Sequence, residues 1–272
     1  MQKKPLMFCG FTTMMGIFGA FLRWLQNMQG FETDSGLPIT SSPWHLVVLI
    51  YLIGFAVWLF LDVRRMKGAV RPSKYPEAFA CDSKIWRGGA VVFSLLMAVS
   101  AVITLFDVVN ADPEDRSVFS LILGLFGIIC AICYMSFING TRGKNSKNGG
   151  FAGIVIVVFY CYHLIATYKT FASEPVTWHF AIQILSVAAC LLAFYYISGF
   201  AYGSPRVLPT IYFCHLGAFL AVISCADSVA TGINLIAIAA AGMLLLISYA
   251  QLQNIAPAQN TSEESPEGST TE

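Results

Sequence analysis

Long apolar runs, each free or nearly free of charge, alternate along this chain with short polar connections. About 20 helical residues, rising roughly 1.5 Å each, cross a hydrocarbon core of about 30 Å. Eight runs reach that length, and they lack the short alternating pattern of barrel strands. The pattern therefore predicts an all-α, polytopic transmembrane helical bundle of eight spans. The expected spans are 6–26, 44–62, 88–107, 117–138, 151–169, 177–198, 207–226 and 232–252.

A segment of different composition follows the bundle, which is expected to occupy residues 1–253. From Asn254 to Glu272 the chain holds four Glu and two Pro, with no Lys or Arg and almost nothing apolar. Such a segment cannot bury enough apolar surface to offset the entropy of ordering it. We expect residues 254–272 to form a disordered acidic tail.

Basic residues concentrate on one side of the predicted bundle. With Lys3 and Lys4 placed inside, thirteen of the 16 Lys and Arg residues fall on that side. Cytoplasmic loops accumulate Lys and Arg. The distribution therefore predicts a multi-pass cell-membrane protein with both termini in the cytoplasm. Its lipid-facing surface makes the bilayer its first partner, and a formal net charge of +1 argues against a nucleic-acid partner.

Composition excludes several functional classes. Of the 272 residues, 57% are apolar and 11% charged, whereas soluble domains carry about 25% charged residues. A soluble enzyme is thereby excluded. The middle of each predicted span lacks Asp, Glu, Lys and Arg, which argues against a carboxylate-relay transporter and against a voltage sensor. We find no catalytic constellation and expect no cofactor.

The longest inner loop, residues 62–87, carries a basic cluster that would face the cytoplasm. Such a cluster attracts anionic headgroups by about 1 kcal/mol per residue or docks a cytoplasmic or membrane protein partner, although the positive-inside rule alone also explains it. Further along, Phe79, Ile85 and Trp86 are expected to place a short interfacial helix on the leaflet. The basic cluster consists of Arg64, Arg65, Lys67, Arg71 and Lys74.

Several thiol and imidazole groups share one depth in the inner half of the predicted bundle, about 8–18 Å from its cytoplasmic end at roughly 1.5 Å per residue. Thiolates and imidazoles favour copper or zinc, so these groups are candidate metal or redox ligands. A free Cys is equally at home as a small buried hydrophobe, so a packing role stays open. The candidates are Cys130, Cys133, Cys161, Cys214, His163 and His215.

Four polar side chains within the spans are candidates for a solute path or pocket: Tyr160, His163, Gln183 and His215. Tyr160 and His163 lie three residues apart and therefore share one helical face. Buried tyrosines of this kind also bond to the backbone of neighbouring helices, and that alternative remains.

Two spans open with the same dipeptide. Trp44-His45 begins the second predicted span and Trp178-His179 the sixth, almost half the chain later. A parallel duplication of four spans would produce this pattern and place a pocket on its axis. The loops after the two spans differ greatly in length, so the dipeptides are alternatively ordinary interfacial pairs.

The connection after the first span has a turn-forming centre, Asp34-Ser35-Gly36, which predicts a small hairpin. We expect Arg23 to pair with Glu32 or Asp34.

The segment from Phe21-Leu22-Arg23-Trp24 through Gly36-Leu37-Pro38-Ile39 to Pro43 resembles the first outer loop of multi-span membrane proteins of unknown function from Gram-positive bacteria. The resemblance covers about two dozen residues. It implies a bacterial cell membrane and no particular activity.

Three functions remain open at this stage. The first is a non-catalytic sensor, scaffold or partner subunit that uses the basic cluster as its contact surface. The second is a permease or channel-like protein for a small neutral or apolar solute. The third is a membrane metal or redox protein that uses the Cys and His groups.

Overall fold

The computed structural model describes residues 5–32, 37–39, 41–68, 72–81, 83–112, 117–141, 146–172, 176–227 and 229–255. Across those ranges the chain forms nine α-helices, and eight of them are long and apolar enough to cross a membrane. The predicted fold class, a polytopic helical bundle, is confirmed. The helices are α1 (Pro5–Gln29), α2 (Trp44–Arg64), α3 (Tyr75–Ala78), α4 (Lys84–Asn110), α5 (Val118–Gly140), α6 (Ser146–Thr170), α7 (Ala181–Gly199), α8 (Val207–Ser224) and α9 (Thr231–Gln253).

Two helices, α4 and α7, begin at residues other than those at which their apolar runs begin. The helix α4 begins four residues before its run, because Lys84 and Arg87 extend it beyond the apolar segment. The helix α7 begins later than expected, after a single 3₁₀ turn at Thr177–His179. The carbonyl oxygens of Trp178 and His179 accept hydrogen bonds from Arg23. These two carbonyl groups therefore bond to Arg23 of α1 at the point where α7 was expected to begin.

The helices α4 to α9 form a closed cycle of contacts, in which each helix packs on the next and α9 returns to α4. The helix α1 packs mainly on α8, and α2 packs on α1 and α8. We call the face where α1 begins and α9 ends the terminal face, and the opposite face the distal face. The helix α8 is consequently the most enclosed of the eight spans, while α1 and α2 are the least enclosed.

The helix α1 shows how side chains are sorted in this bundle. Its buried positions recur every three or four residues and include Thr12, Gly19, Arg23 and Gln26, while large apolar residues such as Phe18 are exposed. A soluble helix has the opposite arrangement. Because lipid solvates apolar side chains, small and polar residues are free to form the helix–helix contacts.

The predicted interfacial helix is wrong. The described helix in that loop, α3, is a single turn, and both Phe79 and Trp86 are buried in the bundle. The Phe79 ring packs against Phe137, and the Trp86 indole donates to the Leu246 carbonyl oxygen at 2.9 Å. An amphipathic ring that finds a backbone acceptor can be buried at little cost. Of the three expected leaflet residues only Ile85 is exposed.

The two four-span halves do not pack alike. In a parallel duplication, α2 would contact α4 as α7 contacts α8. The helix α7 does pack extensively on α8, but the packing of α2 is on α1 and α8. The arrangement therefore argues against the duplication.

The expected hairpin is supported by an antiparallel bridge between Phe31 and Pro38, although its turn at 33–36 lies outside the described residues.

Candidate functional site

A small polar cavity, the inner pocket, lies between α6, α7, α8 and α9 inside the cycle of helices. Its volume is 20 Å³, which is room for about one water molecule. No ionisable Asp, Glu, Lys or Arg occurs among the described residues that line it. Its polar lining comes from Tyr160, His163, Gln183, Ser186, Cys190, Ser224 and Asn234.

Two polar side chains of the inner pocket lack partners in the protein. Both ring nitrogens of His163 and the Oε1 atom of Gln183 are buried without a hydrogen bond. Buried polar groups are nearly always bonded, and leaving one unpaired costs about 1–3 kcal/mol. A neutral imidazole offers one donor and one acceptor, and the Gln183 oxygen offers an acceptor. The pocket therefore suits a guest that both donates and accepts.

An aromatic floor closes the inner pocket towards the terminal face. The ring of Phe194, one turn beyond Cys190 on α7, stacks on Tyr160 with centroids 5.0 Å apart and on Tyr134 at 5.6 Å. The hydroxyl oxygens of the two tyrosines lie 2.8 Å apart and share a hydrogen bond. All three rings are buried. The pocket is thus separated from the terminal face by packed aromatic side chains.

His215 is not part of the inner pocket, although the sequence placed it among the pocket candidates. Its Nδ1 lies 2.7 Å from the Thr12 hydroxyl and its Nε2 lies 2.9 Å from the Ser248 hydroxyl. Both nitrogens are therefore occupied within the protein. The imidazole ties α1, α8 and α9 together as a packing element. Of the four candidates, the structure brings together Tyr160, His163 and Gln183.

The candidate metal ligands are not assembled into a ligand set. Within the described ranges, no group of three or more His, Cys, Asp or Glu side chains is placed to hold a metal ion. Cys161 is exposed, while Cys130, Cys133 and Cys214 are buried. These six side chains do not converge: Cys161 is exposed, His163 lines the inner pocket, and His215 lies between α1, α8 and α9.

The basic cluster is exposed at the terminal face where the structure describes it. Arg64 and Lys67 are exposed, and the Arg65 side chain, 4.0 Å from Asp62, is 80% exposed. Lys74 lies 3.4 Å from Glu77, and both side chains are exposed. Arg71 lies outside the described residues.

A second polar region, which the sequence did not reveal, lies at the distal face around Arg23. The Arg23 side chain is 1% exposed, and its Nε donates to Asp227 Oδ1 at 2.6 Å. Its Nη1 donates to Gln26 Oε1 at 2.7 Å and its Nη2 to the Trp178 carbonyl at 2.8 Å. The ion-pair partner of Arg23 is therefore Asp227 and not Glu32, and Asp34 lies outside the described residues.

The network continues from Arg23 through an amide to a histidine. Because Gln26 Oε1 accepts from Arg23, the Gln26 amide nitrogen donates to His45 Nδ1 at 2.8 Å. The remaining nitrogen of His45, Nε2, then donates to the Gly30 carbonyl at 2.9 Å. The His45 ring also lies 5.5 Å from Trp178. The two Trp-His dipeptides thus meet at one site, which gives the repeated motif a structural meaning.

A larger cavity, the distal pocket, lies beside this network and has a volume of 300 Å³. Asp227 Oδ1 is held by Arg23 and Asn27, while the buried Oδ2 has no hydrogen-bond partner. Burial raises the pKa of Asp227, and the Arg23 guanidinium opposes that rise. The pocket is lined by Arg23, Asn27, Phe31, Phe171, His179 and Asp227, among others.

No protein-family model matches the chain, and neither a curated protein nor a solved structure is significantly similar to it.

Proposed function

We propose that this integral membrane protein conducts a small, uncharged polar solute by way of the inner pocket. The observation that carries the proposal is the convergence of Tyr160, His163 and Gln183 on one cavity, with both imidazole nitrogens and the amide oxygen unpartnered. A solute with both donor and acceptor groups would satisfy them. This was the second of the three hypotheses drawn from the sequence.

The pocket chemistry supports a neutral solute over an ion. A charged solute inside the bundle would need an opposite charge or a full set of ligands to offset its desolvation. The described lining supplies only imidazole, amide, hydroxyl and thiol groups. These groups replace the hydration shell of a small polar molecule by hydrogen bonds, and they leave an ion uncompensated.

Passage towards the terminal face requires the aromatic floor to part. The Tyr134–Tyr160 hydrogen bond and the Phe194 stack lie on that side of the cavity. We propose that rotation of these side chains is the gating step, with Tyr160 exchanging its tyrosine partner for the solute. Sub-microsecond to microsecond side-chain and local motions are fast enough for such a step.

The test is flux in proteoliposomes, measured by stopped-flow light scattering. Water is the probe that fits the 20 Å³ cavity, and urea and glycerol are larger probes that pass only if the cavity widens. His163→Leu keeps the volume and removes both nitrogens, and loss of about 1.4 kcal/mol of hydrogen bonding lowers flux about tenfold. Cys161→Ala, two residues away on α6 and exposed to the outside of the bundle, leaves flux unchanged. Equal flux in His163→Leu and wild type, or no flux above empty liposomes for any probe, would overturn the proposal.

A second candidate is a sensor, scaffold or partner subunit that docks a cytoplasmic protein. The exposure of Arg64, Arg65 and Lys67 supports it, since these cations are available for contact. Reversal of all three charges to Glu abolishes partner co-purification on this account while membrane insertion is kept. Retention of the partner by the charge-reversed protein would exclude the basic cluster as the contact surface.

The proposed location is the cell membrane of a bacterium with both termini in the cytoplasm. The support is the concentration of Lys and Arg at the terminal face, together with the resemblance in the first loop to membrane proteins of Gram-positive bacteria.

A further inference from the structure

We propose that the distal pocket is a second binding site, independent of the inner pocket, for a small uncharged solute that donates a hydrogen bond to Asp227. The site lies at the distal face between α1, the turn before α7 and the loop between α8 and α9. Its polar anchor is the Oδ2 atom of Asp227, which is buried and without a partner. The suited class is a small polyol or amide.

The charge balance of the pocket selects against ions of either sign. Arg23 lies 2.6 Å from Asp227, and both side chains are almost fully buried, so their charges already compensate each other. A bound cation would be desolvated beside the guanidinium. A bound anion would face the carboxylate, and each nitrogen of Arg23 already donates to a protein acceptor. An uncharged donor avoids both penalties.

The shape and walls of the pocket set the size and character of the solute. A volume of 300 Å³ lies at the lower end of the roughly 300–1,000 Å³ typical of ligand sites. Phe31 and Phe171 supply apolar walls, and the Phe31 ring packs on His179 with centroids 4.5 Å apart. A small molecule with an apolar carbon face and hydroxyl or amide edges therefore fits both the walls and the anchor.

The protein contains four histidines, and their imidazole signals can report on binding at each pocket and on the packing of the bundle. His179 lines the distal pocket, His163 lines the inner pocket, and His215 has both nitrogens held by Thr12 and Ser248. Imidazole NMR signals of the full chain in nanodiscs, with ¹⁵N-labelled histidine, therefore separate the two pockets. The His215 signal reports whether the packing of the bundle is intact.

The experiment titrates the protein with glycerol, methylammonium and acetate at constant pH and ionic strength. Glycerol is expected to shift the His179 signal saturably, with at least tenfold higher affinity than either ion, and to leave His215 unmoved. Tighter binding of methylammonium or acetate, or a glycerol shift that does not saturate, would overturn the proposal. A His179 response without any His163 response would support binding at the distal site. It would count against binding in the inner pocket and would leave the distal proposal standing.

A variant pair sharpens the test. Arg23→Met with Asp227→Leu removes both charges together, so no lone charge is buried, and glycerol affinity is expected to fall at least tenfold. Lys74→Met with Glu77→Leu removes a matched but exposed pair at the terminal face and leaves affinity unchanged. Undiminished glycerol affinity in the first variant refutes the role of Asp227. Should that variant disturb the His215 signal, the wild-type ranking of the three probes alone decides.

Discussion

Replacing Thr12 by Val removes one hydroxyl from the buried contact that holds His215. The Thr12 hydroxyl lies 3.1 Å from the Phe8 carbonyl oxygen and 2.7 Å from His215 Nδ1, and the Ser248 hydroxyl lies 2.9 Å from His215 Nε2. A hydroxyl can donate or accept, so both nitrogens of the neutral imidazole are bonded whichever of them carries the proton. Thr12, Ser248 and His215 are all at most 1% exposed, so water cannot take the place of the lost partner.

The expected cost follows from that burial. Leaving a buried donor or acceptor unsatisfied costs about 1–3 kcal/mol. At roughly 2–4 °C per kcal/mol for a chain of this size, the Tm of Thr12→Val falls by about 2–12 °C in nanodiscs. The change is nearly isosteric, so the loss is one of hydrogen bonding rather than of packing volume.

The matched control is the neighbouring residue. Thr13→Val makes the same chemical change one residue along, where the described hydroxyl contact is with the Cys9 carbonyl of the same helix. We expect its Tm to stay within about 2 °C of wild type, since substitutions away from such contacts usually cost less than roughly 0.5 kcal/mol. Equal Tm changes in the two variants would refute the assignment of His215 as a packing element.

Three further predictions concern the floor, the helix packing and the orientation. Tyr134→Phe removes the 2.8 Å hydroxyl contact with Tyr160 and is expected to raise solute flux several-fold; unchanged flux would mean that the floor is not the barrier. Gly19→Val places a Cβ within 2.5 Å of Ile223 and is expected to cost about 1–3 kcal/mol by overpacking. Gly10→Ala meets open space and is expected to keep or raise the Tm of the protein, because Ala is the better helix former. A similar Tm in both variants would contradict the close α1–α8 contact. In a background without native cysteines, an impermeant maleimide on intact cells is expected to label Asn110→Cys and not Lys67→Cys, and the reverse pattern would invert the proposed topology.

The span count followed from local information, because a run of apolar residues long enough to cross a membrane needs no knowledge of its neighbours. The helix rotations did not follow. A helix that is apolar on all sides gives little indication of which face turns inward. Thus His163 and His215, which the sequence placed in the same half of the bundle, have opposite roles. Both nitrogens of His163 lack a hydrogen bond, and both nitrogens of His215 are bonded.

The distal network was missed for a different reason. Arg23 and Asp227 are separated by 204 positions, and the nearer acids Glu32 and Asp34 were the obvious partners by sequence. That Asp227, in the loop after α8, lies beside α1 depends on tertiary packing, which the sequence pattern does not show. The one usable signal was the repeated Trp-His dipeptide, whose second copy supplies the carbonyl oxygens that accept from Arg23. From the sequence this repeat suggested a duplication, whereas in the structure His45 and Trp178 of the two copies lie at one site.

Phe79 and Trp86 illustrate the remaining limit. Apolar residues in a loop close to the membrane can be buried either in the leaflet or against the terminal face of the bundle. Only the backbone acceptor at Leu246 and the ring of Phe137, both distant in sequence, decide the choice.

A density map of the purified protein, at a resolution that shows ordered water, tests most directly the claim that the inner pocket holds a polar guest. The claim predicts density for a polar guest in the inner pocket, within about 3.2 Å of a His163 ring nitrogen and of Gln183 Oε1. A pocket without density, or one in which the side chains of His163 and Gln183 have turned to bond with the protein itself, would contradict it.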